Sequence, residues 1–401
     1  MSRVSPNKIF DDFRQGKLSK NQASDLLMSF VENLIELDAE SKNVVIKLLA
    51  LICSNDKKVF KFLELLLISD LDDLVRGNAA NAIISNFSDL AFEPIEWALL
   101  HEESETSIIQ IIKALKKTNN LKLKSLLNTF EYVEYEGKIL LPFGSEQIIN
   151  LSGQNIVNLS QVKGLGNLIN LNKLYLNFNK ITEIEGLDNL INLKTLHLQG
   201  NKIRTIKGLE QLKNLKSLYL NNNEIIKIQG IANLSSLKSL MIYDNKIAEM
   251  QKLTHLSNLE ILNLRNNRFS EIKGLKSLGN LKRLDLSNNR ITEIKDLDNL
   301  VNLEFLDLSY NQISEIKGLD NLKNLKFLDL RNNKITTIKQ LNILKQLQHL
   351  YLGFNRISIA DNKEELSQKN LLDTLNIDGK SLSISLFDFF YKYKLRKNPT
   401  N

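Results

Sequence analysis

Three aspartates, Asp285, Asp307 and Asp329, recur at one fixed interval and carry the chemistry most suited to a site in this chain. Carboxylates held in one register can receive a basic partner or hold a cation. The other candidates for chemistry are four histidines (His101, His197, His255 and His349) and a single cysteine, Cys53. His197 and His349 occupy equivalent strand regions seven repeats apart. At the spacing of neighbouring strands they stand on the order of 30 Å from one another, too far to cooperate. Cys53 lies in an apolar helical run without a companion and reads as a buried structural thiol. The sequence has no G-x-x-x-x-G-K-[ST], G-x-G-x-x-G or H-E-x-x-H pattern, and no Cys/His cluster with zinc spacing. The chain therefore reads as non-enzymatic, with no cofactor and no small-molecule substrate, and its chemistry is recognition.

The elements that must position those aspartates are set by a second periodic residue. Asn179, Asn201, Asn223, Asn245, Asn267, Asn289, Asn311, Asn333 and Asn355 follow one another at the same interval, without a break. Leucine precedes each by eight and by five residues, Leu or Ile by three, and Ile (Phe269 once) follows by two. The alternating L-x-L stretch reads as a strand with its leucines inward. One such strand cannot bury its apolar face alone, so the repeats must stack into a solenoid with a concave parallel sheet. An asparagine amide has donors and an acceptor, so it can satisfy the turn's own backbone and the neighbour's. Short 3₁₀ or irregular segments are expected on the return side, with the Gly-Leu steps (Gly186, Gly208, Gly274, Gly318) as tight turns.

Each repeat adds one row to the exposed side of the sheet, which can be read in columns. One column runs Tyr175, His197, Tyr219, Met241, Asn263, Asp285, Asp307, Asp329, Tyr351. Two residues earlier stand Arg283, Phe305, Phe327 and His349 in the later repeats; two residues later stand Gln199, Tyr243, Arg265 and Arg331 among others. The face is aromatic and polar toward the N-terminal end, and acidic with phenylalanine toward the C-terminal end. Like charges on adjacent strands are unfavourable on their own. Three explanations stand: neutralisation by Arg265, Arg283 and Arg331; docking of a basic protein anchored by Phe305 and Phe327; or a cation site. The candidate partner-binding residues are Tyr175, His197, Tyr219, Tyr243, Asp285, Phe305, Asp307, Phe327, Asp329 and Tyr351.

Residues 1–130 have a different period. Apolar residues at helical spacing mark blocks at Ala23–Leu37, Ser41–Cys53, Lys57–Ser69, Leu74–Phe87, Pro94–His101, Ser107–Lys117 and Leu121–Phe130, with Ser19, Asn55 and Asp73 as N-caps. They pair into hairpins whose first helices begin near residues 40, 73 and 105. Trp97 reads as core. Residues 131–147 form a connecting hairpin turning at Glu136-Gly137, residues 148–380 the repeat domain, and residues 381–401 a C-terminal cap and basic tail. In the degenerate first coil Val157 replaces the asparagine, behind a capping strand of Ile148, Ile149 and Leu151. At the far end Leu372, Leu375 and Ile377 suggest a last coil. The aromatics Phe387, Phe389, Phe390, Tyr391 and Tyr393 either close the stack or anchor to a membrane or partner.

The chain carries 53 Lys+Arg against 46 Asp+Glu, a net charge of +7. Positions 1–130 hold 16 basic and 18 acidic side chains, so the excess lies in the repeats. Lys207, Lys273, Lys295, Lys317 and Lys339 share one repeat position; Lys194, Lys216, Lys238, Lys282 and Lys326 share another. They read either as a solvated outer surface or as a stripe for nucleic acid or an anionic membrane. Neither a secretory leader nor a span-length apolar run is present, and one cysteine excludes a disulfide framework; the expectation is a cytoplasmic monomer.

The repeat Asn-Leu-x-x-Leu-x-x-Leu-x-Leu-x-x-Asn-x-Ile-x-x-Ile-x-Gly-Leu resembles the 22-residue class of leucine-rich repeats over roughly residues 148–380. That class includes regulatory subunits of protein phosphatase 1, a splicing factor, an axonemal dynein light chain and the secreted internalins, whose usual turn proline is missing here. The resemblance implies a horseshoe that binds proteins, and it implies that Asp is ordinary at the acidic column. In the phosphatase regulators concave acidic and aromatic residues hold the catalytic subunit; the matching positions here include Tyr219, Asp285, Phe305, Asp307, Phe327, Asp329 and Tyr351. The stretch Asp72-Asp73-Leu74-Val75-Arg76-x-x-Ala79-Ala80-x-x-Ile83 resembles the first helix of a HEAT-type repeat, in which Asp and Arg bond between neighbouring hairpins. The expected architecture is an α-helical, HEAT-like module followed by an α/β leucine-rich repeat solenoid acting as an interaction scaffold.

Overall fold

The computed structural model describes residues 5–32, 38–52, 56–249, 253, 255–339 and 341–357. Cys53, the coil at Leu372–Ile377 and the aromatic and basic segment from Ser385 onward lie outside the described residues. The chain divides into two units: Met1–Tyr132 with Gly137–Leu141, and Val133–Glu136 with Pro142–Asn401.

The first unit contains α1 (Pro6–Arg14), α2 (Lys20–Glu32), α3 (Ala39–Ile52), α4 (Lys57–Ser69), α5 (Asp73–Asn86), α6 (Phe92–His101), α7 (Glu105–Lys117) and α8 (Leu121–Lys124). The last runs into a 3₁₀ turn at Ser125–Thr129. Helix α1 is absent from the sequence reading, although its signal is there: Ser5 caps it and Pro6 takes the first turn, where a missing N–H costs nothing. At α2 Ser19 and Gln22 cap each other's backbone N–H groups. The cap of α5 is Asp72, one residue earlier than expected; its carboxylate accepts from the Val75 N–H at 3.0 Å. Asp73 instead accepts from the Ser104 hydroxyl at 2.6 Å.

One core gathers Leu27, Leu49, Leu63, Ile83, Ile95, Ile111 and Leu115, all buried. Small residues Ala79 and Ala80 let α5 pack between α3 and α7. Arg76 reaches forward from α5 to Glu102 with two hydrogen bonds of 2.7 and 2.8 Å. That guanidinium holds Glu102 down to a pKa of about 2, against the burial that opposes its charge. Trp97, expected in the core, is 41% exposed and stacks on His101 at 4.4 Å. Its position on α6 follows the exposed Glu96 and precedes the buried Ala98, at the border of the apolar face.

Strands β1 (Val133–Tyr135) and β2 (Lys138–Leu140) form the expected hairpin, with Glu136 and Gly137 at φ 47° and 74° as a two-residue turn of this hand requires. The second unit then builds a ten-stranded parallel sheet from β3 (Ile148–Asn150), β4 (Lys173–Tyr175), β5 (Thr195–His197), β6 (Ser217–Tyr219), β7 (Ser239–Met241), β8 (Ile261–Asn263), β9 (Arg283–Asp285), β10 (Phe305–Asp307), β11 (Phe327–Asp329) and β12 (His349–Tyr351), in chain order. Register is set by the repeat: Leu284, Leu306, Leu328 and Leu350 are direct neighbours and fully buried.

The asparagines do what their position requires. Asn311 donates to the carbonyls of Leu308 in its own coil and Leu286 in the preceding one, both at 3.0 Å, and its Oδ1 accepts from the Ile291 N–H at 2.9 Å. The same set recurs at Asn201, Asn223, Asn245, Asn267, Asn289 and Asn333. The return side is irregular, with 3₁₀ turns at Leu159–Gln161, Leu165–Asn167 and Leu341–Ile343. Gly208 has φ 76°, and a side chain there would strike the Ile184 carbonyl oxygen, so this position admits only glycine, although Asp296 takes the same backbone at the equivalent step.

Candidate functional site

The concave sheet presents two groups of side chains. At the N-terminal end Tyr175, His197 and Tyr219 stand on β4, β5 and β6, directly paired in register. Their rings stack at 4.4 and 4.2 Å, almost parallel. Burial between the two phenols lowers the His197 pKa below its ordinary value, against the Gln199 side chain that raises it. Tyr243 joins neither group: Met241 and Asn263 occupy the intervening strands, and Tyr243 has no ring partner among the described residues.

At the C-terminal end β9 to β12 carry two columns. In the first, the Arg283 guanidinium lies 3.7 Å from the centre of the Phe305 ring, and Phe305 stacks on Phe327 at 4.3 Å. Phe327 meets Tyr351 at 5.3 Å and His349 at 6.1 Å. In the second, Asp285, Asp307 and Asp329 are immediate neighbours. Asp285 accepts from the Ser287 N–H and hydroxyl at 3.0 and 2.6 Å, and Asp307 from the Ser309 N–H and hydroxyl at 2.9 and 2.6 Å. Asp329 is 1% exposed and held by Arg331, through its backbone N–H at 3.0 Å and its guanidinium.

Internal neutralisation is therefore partial. Arg331 pairs with Asp329 and also lies over the Tyr351 ring. Arg283 spends its charge on an aromatic face, and Arg265 is exposed with no carboxylate partner among the described residues. Among the described residues Asp285 and Asp307 have hydroxyl and amide donors but no ion-pair partner; Arg331 attracts Asp307 without contacting it. Burial pushes the Asp307 carboxyl up to about 6, the carboxylates on either side push it the same way, and the Ser309 bonds work against them. Among the described residues, no group of His, Cys, Asp and Glu has the arrangement of a metal site. The three aspartates lie side by side in a row instead of converging on a point.

Most of the lysines in the outer stripes are paired with glutamate, while Lys194, Lys216 and Lys339 have no ion pair among the described residues. Glu271, Lys295, Glu293 and Lys317 alternate along one edge, with contacts of 3.3, 3.8 and 2.8 Å, and Lys207 pairs with Glu183 at 2.9 Å. On the other edge Glu260 sits between Lys238 and Lys282 at 3.0 and 2.9 Å, and Glu304 takes Lys326 at 2.7 Å.

One feature escaped the columns. The residue before each ladder asparagine adopts a left-handed backbone in every described coil from Phe178 to Phe354, and in three of them it is aromatic: Phe178, Tyr310 and Phe354 at φ 57°, 54° and 59°. Only knowledge of the turn's hand would have singled these residues out. No helix among the described residues is long and apolar enough to cross a membrane.

Comparison with known proteins agrees with this geometry. The model of leucine-rich repeats in two copies matches residues 191–233, 213–255, 257–299, 279–321, 301–346 and 323–367. Among solved structures, a leucine-rich-repeat protein of Leptospira interrogans is similar at 35% identity and a TM-score of 0.50, over 54% of this chain and 57% of that one. This chain thus spans little more than half of that protein. Internalin C2 of Listeria monocytogenes is similar at 31% identity and a TM-score of 0.42, over 46% of this chain and 80% of that one. No curated protein matches. The solenoid that follows the helical unit is built of leucine-rich repeats of the 22-residue class.

Proposed function

We propose that this chain is a non-enzymatic scaffold whose concave sheet docks a basic segment of a partner protein over β9 to β12. The observation that carries this reading is the pair Asp285 and Asp307: two adjacent carboxylates without an ion-pair partner among the described residues, beside the half-buried rings of Phe305 and Phe327. Burying like charges together costs stability that a Lys or Arg side chain from outside returns. Aromatic slabs beside that position supply apolar contact and cation–π attraction. The chain as a whole is +7, so attraction for a basic segment has to come from this local field.

The test is selection of a random peptide library on the protein, followed by affinity measurement at two salt concentrations. Enriched peptides should carry Lys or Arg, and the Asp285→Asn/Asp307→Asn variant should bind them about tenfold more weakly with an unchanged circular dichroism spectrum. Enrichment of acidic peptides, or undiminished binding by the variant, refutes the reading.

The narrower proposal is regulation of a phosphatase or GTPase, supported by the resemblance of Tyr219, Asp285, Phe305, Asp307, Phe327, Asp329 and Tyr351 to positions used by phosphatase regulators. Tyr175, His197 and Tyr243 extend the proposed contact toward the N-terminal coils. The helical unit we read as HEAT-like, on the bonds Arg76–Glu102 and Asp73–Ser104 that link α5 forward to the next hairpin. We place the protein in the cytoplasm on its single cysteine, and read it as a monomer. Binding of nucleic acid through the lysine stripes is the weaker reading, because glutamates already answer most of those lysines.

A further inference from the structure

The left-handed turn before each ladder asparagine favours glycine, asparagine and aspartate. Six coils comply, with Gly200, Asn222, Asp244, Asn266, Asn288 and Asn332. An aromatic residue there strains the backbone, and such strain persists where something else requires the side chain. Phe178 has an internal reason. Its ring lies against the next coil at Gly200, so closely that a Cβ on Gly200 would stand 2.6 Å from Cδ1 of the ring. Tyr310 has no such niche. The next coil presents Asn332 in place of glycine, and the Tyr310 side chain is 58% exposed. Its backbone bonds are those any residue would make: its N–H donates to the Arg331 carbonyl at 2.8 Å, and its carbonyl accepts from the Asn289 N–H at 3.2 Å.

Position supplies the reason that packing does not. Tyr310 follows Ser309, the residue whose hydroxyl and N–H hold the Asp307 carboxylate. It therefore stands at the rim of the sheet where the unpaired carboxylates end, beside the coil that carries Arg331. We propose that Tyr310 is a partner-contacting residue that carries the docking surface from Asp285 and Asp307 over the rim of the sheet. The occupant is the basic segment proposed above, bearing an apolar or aromatic residue next to its Lys or Arg; the inference rests on that reading. Exposed tyrosine beside uncompensated charge is the composition of an interface anchor, and the charge sets the sign of what it meets.

Tyr310→Asn tests it, because asparagine suits the turn and removes the ring. The melting temperature should rise by about 2–4 °C, while affinity for the selected basic peptide falls about fivefold or more; Tyr310→Phe should keep that affinity. A fall in melting temperature would show that the ring supports its own coil and overturns the inference. So does unchanged affinity of Tyr310→Asn. The Asp285→Asn/Asp307→Asn variant, measured alongside, separates the two readings. If it loses the peptide and Tyr310→Asn does not, only the rim contact falls. If it binds undiminished, or no basic peptide is selected, the docking reading falls and takes this inference with it.

Discussion

Two charged columns run along the same solenoid, on its edges and on its concave face, and they are finished differently. On the edges each lysine that pairs has a glutamate from its own or the adjacent coil, so the charge is spent where it stands. On the concave face Asp329 is answered by Arg331, while Asp285 and Asp307 are not. The repeat supplies both columns with the same regularity. Periodicity alone thus says nothing about use; what distinguishes a site is charge left over after the chain's own partners are counted. The ladder asparagines are the limiting case of the opposite kind, since each spends its amide entirely on the backbone.

This contrast can be broken in three places. The largest effect is expected at the ladder. Asn311→Ala strands the Ile291 N–H and the Leu286 and Leu308 carbonyls in the core, and denaturant unfolding should register a loss of about 3–5 kcal/mol. Replacing a concave aspartate should act in the other direction. The folded-state pKa of Asp307 is raised above its ordinary 3.8 to about 6, so its contribution is fully present below about pH 3.8 and is lost as pH rises through about 6. Asp307→Asn should therefore gain about 1–2 kcal/mol at pH 7 and flatten the decline of wild-type stability between about pH 4 and 6. Binding of the basic peptide should follow the reverse course, strengthening as pH climbs through about 6. The smallest effect belongs to the edges: Glu293→Gln should leave both melting temperature and peptide affinity within measurement error, because exposed pairs contribute little. A large loss of stability or affinity at Glu293 would erase the distinction between the two columns.

The repeat wrote most of its fold into the sequence. The strands, their register and the reach of the asparagines follow from spacing, because an unbroken period of this length leaves one way to bury those leucines. Direction of side chains was less legible. Arg283 stands two residues from Asp285 in sequence yet turns to Phe305, since neighbours at that spacing share a face but are not obliged to meet. Aromatic residues are not turn formers, so nothing in the sequence marked the hand of the backbone at Tyr310. In the helical unit Ser5-Pro6 announces α1, but the helix is short and carries one buried residue, Ile9, so apolar spacing does not mark it. Trp97 reads as core by its apolar type and is exposed by its angular place on α6, which is the stronger guide.

The asparagine ladder also has a polarity. The Oδ1 of Asn333 fastens the Ile313 N–H of the coil before it, and Asn355 fastens the Ile335 N–H. Every coil is thus latched by its successor, never by its predecessor, through that acceptor. Losing a coil on the C-terminal side strands a backbone N–H and carbonyl in the coil before it, whereas losing one on the N-terminal side leaves a side-chain oxygen without its donor, so the stack should unzip from the C-terminal side. Amide exchange at the latched isoleucines should then slow progressively from Ile335 back toward Ile181, and a chain pulled from its C-terminus should yield coil by coil, each step exposing the next latch.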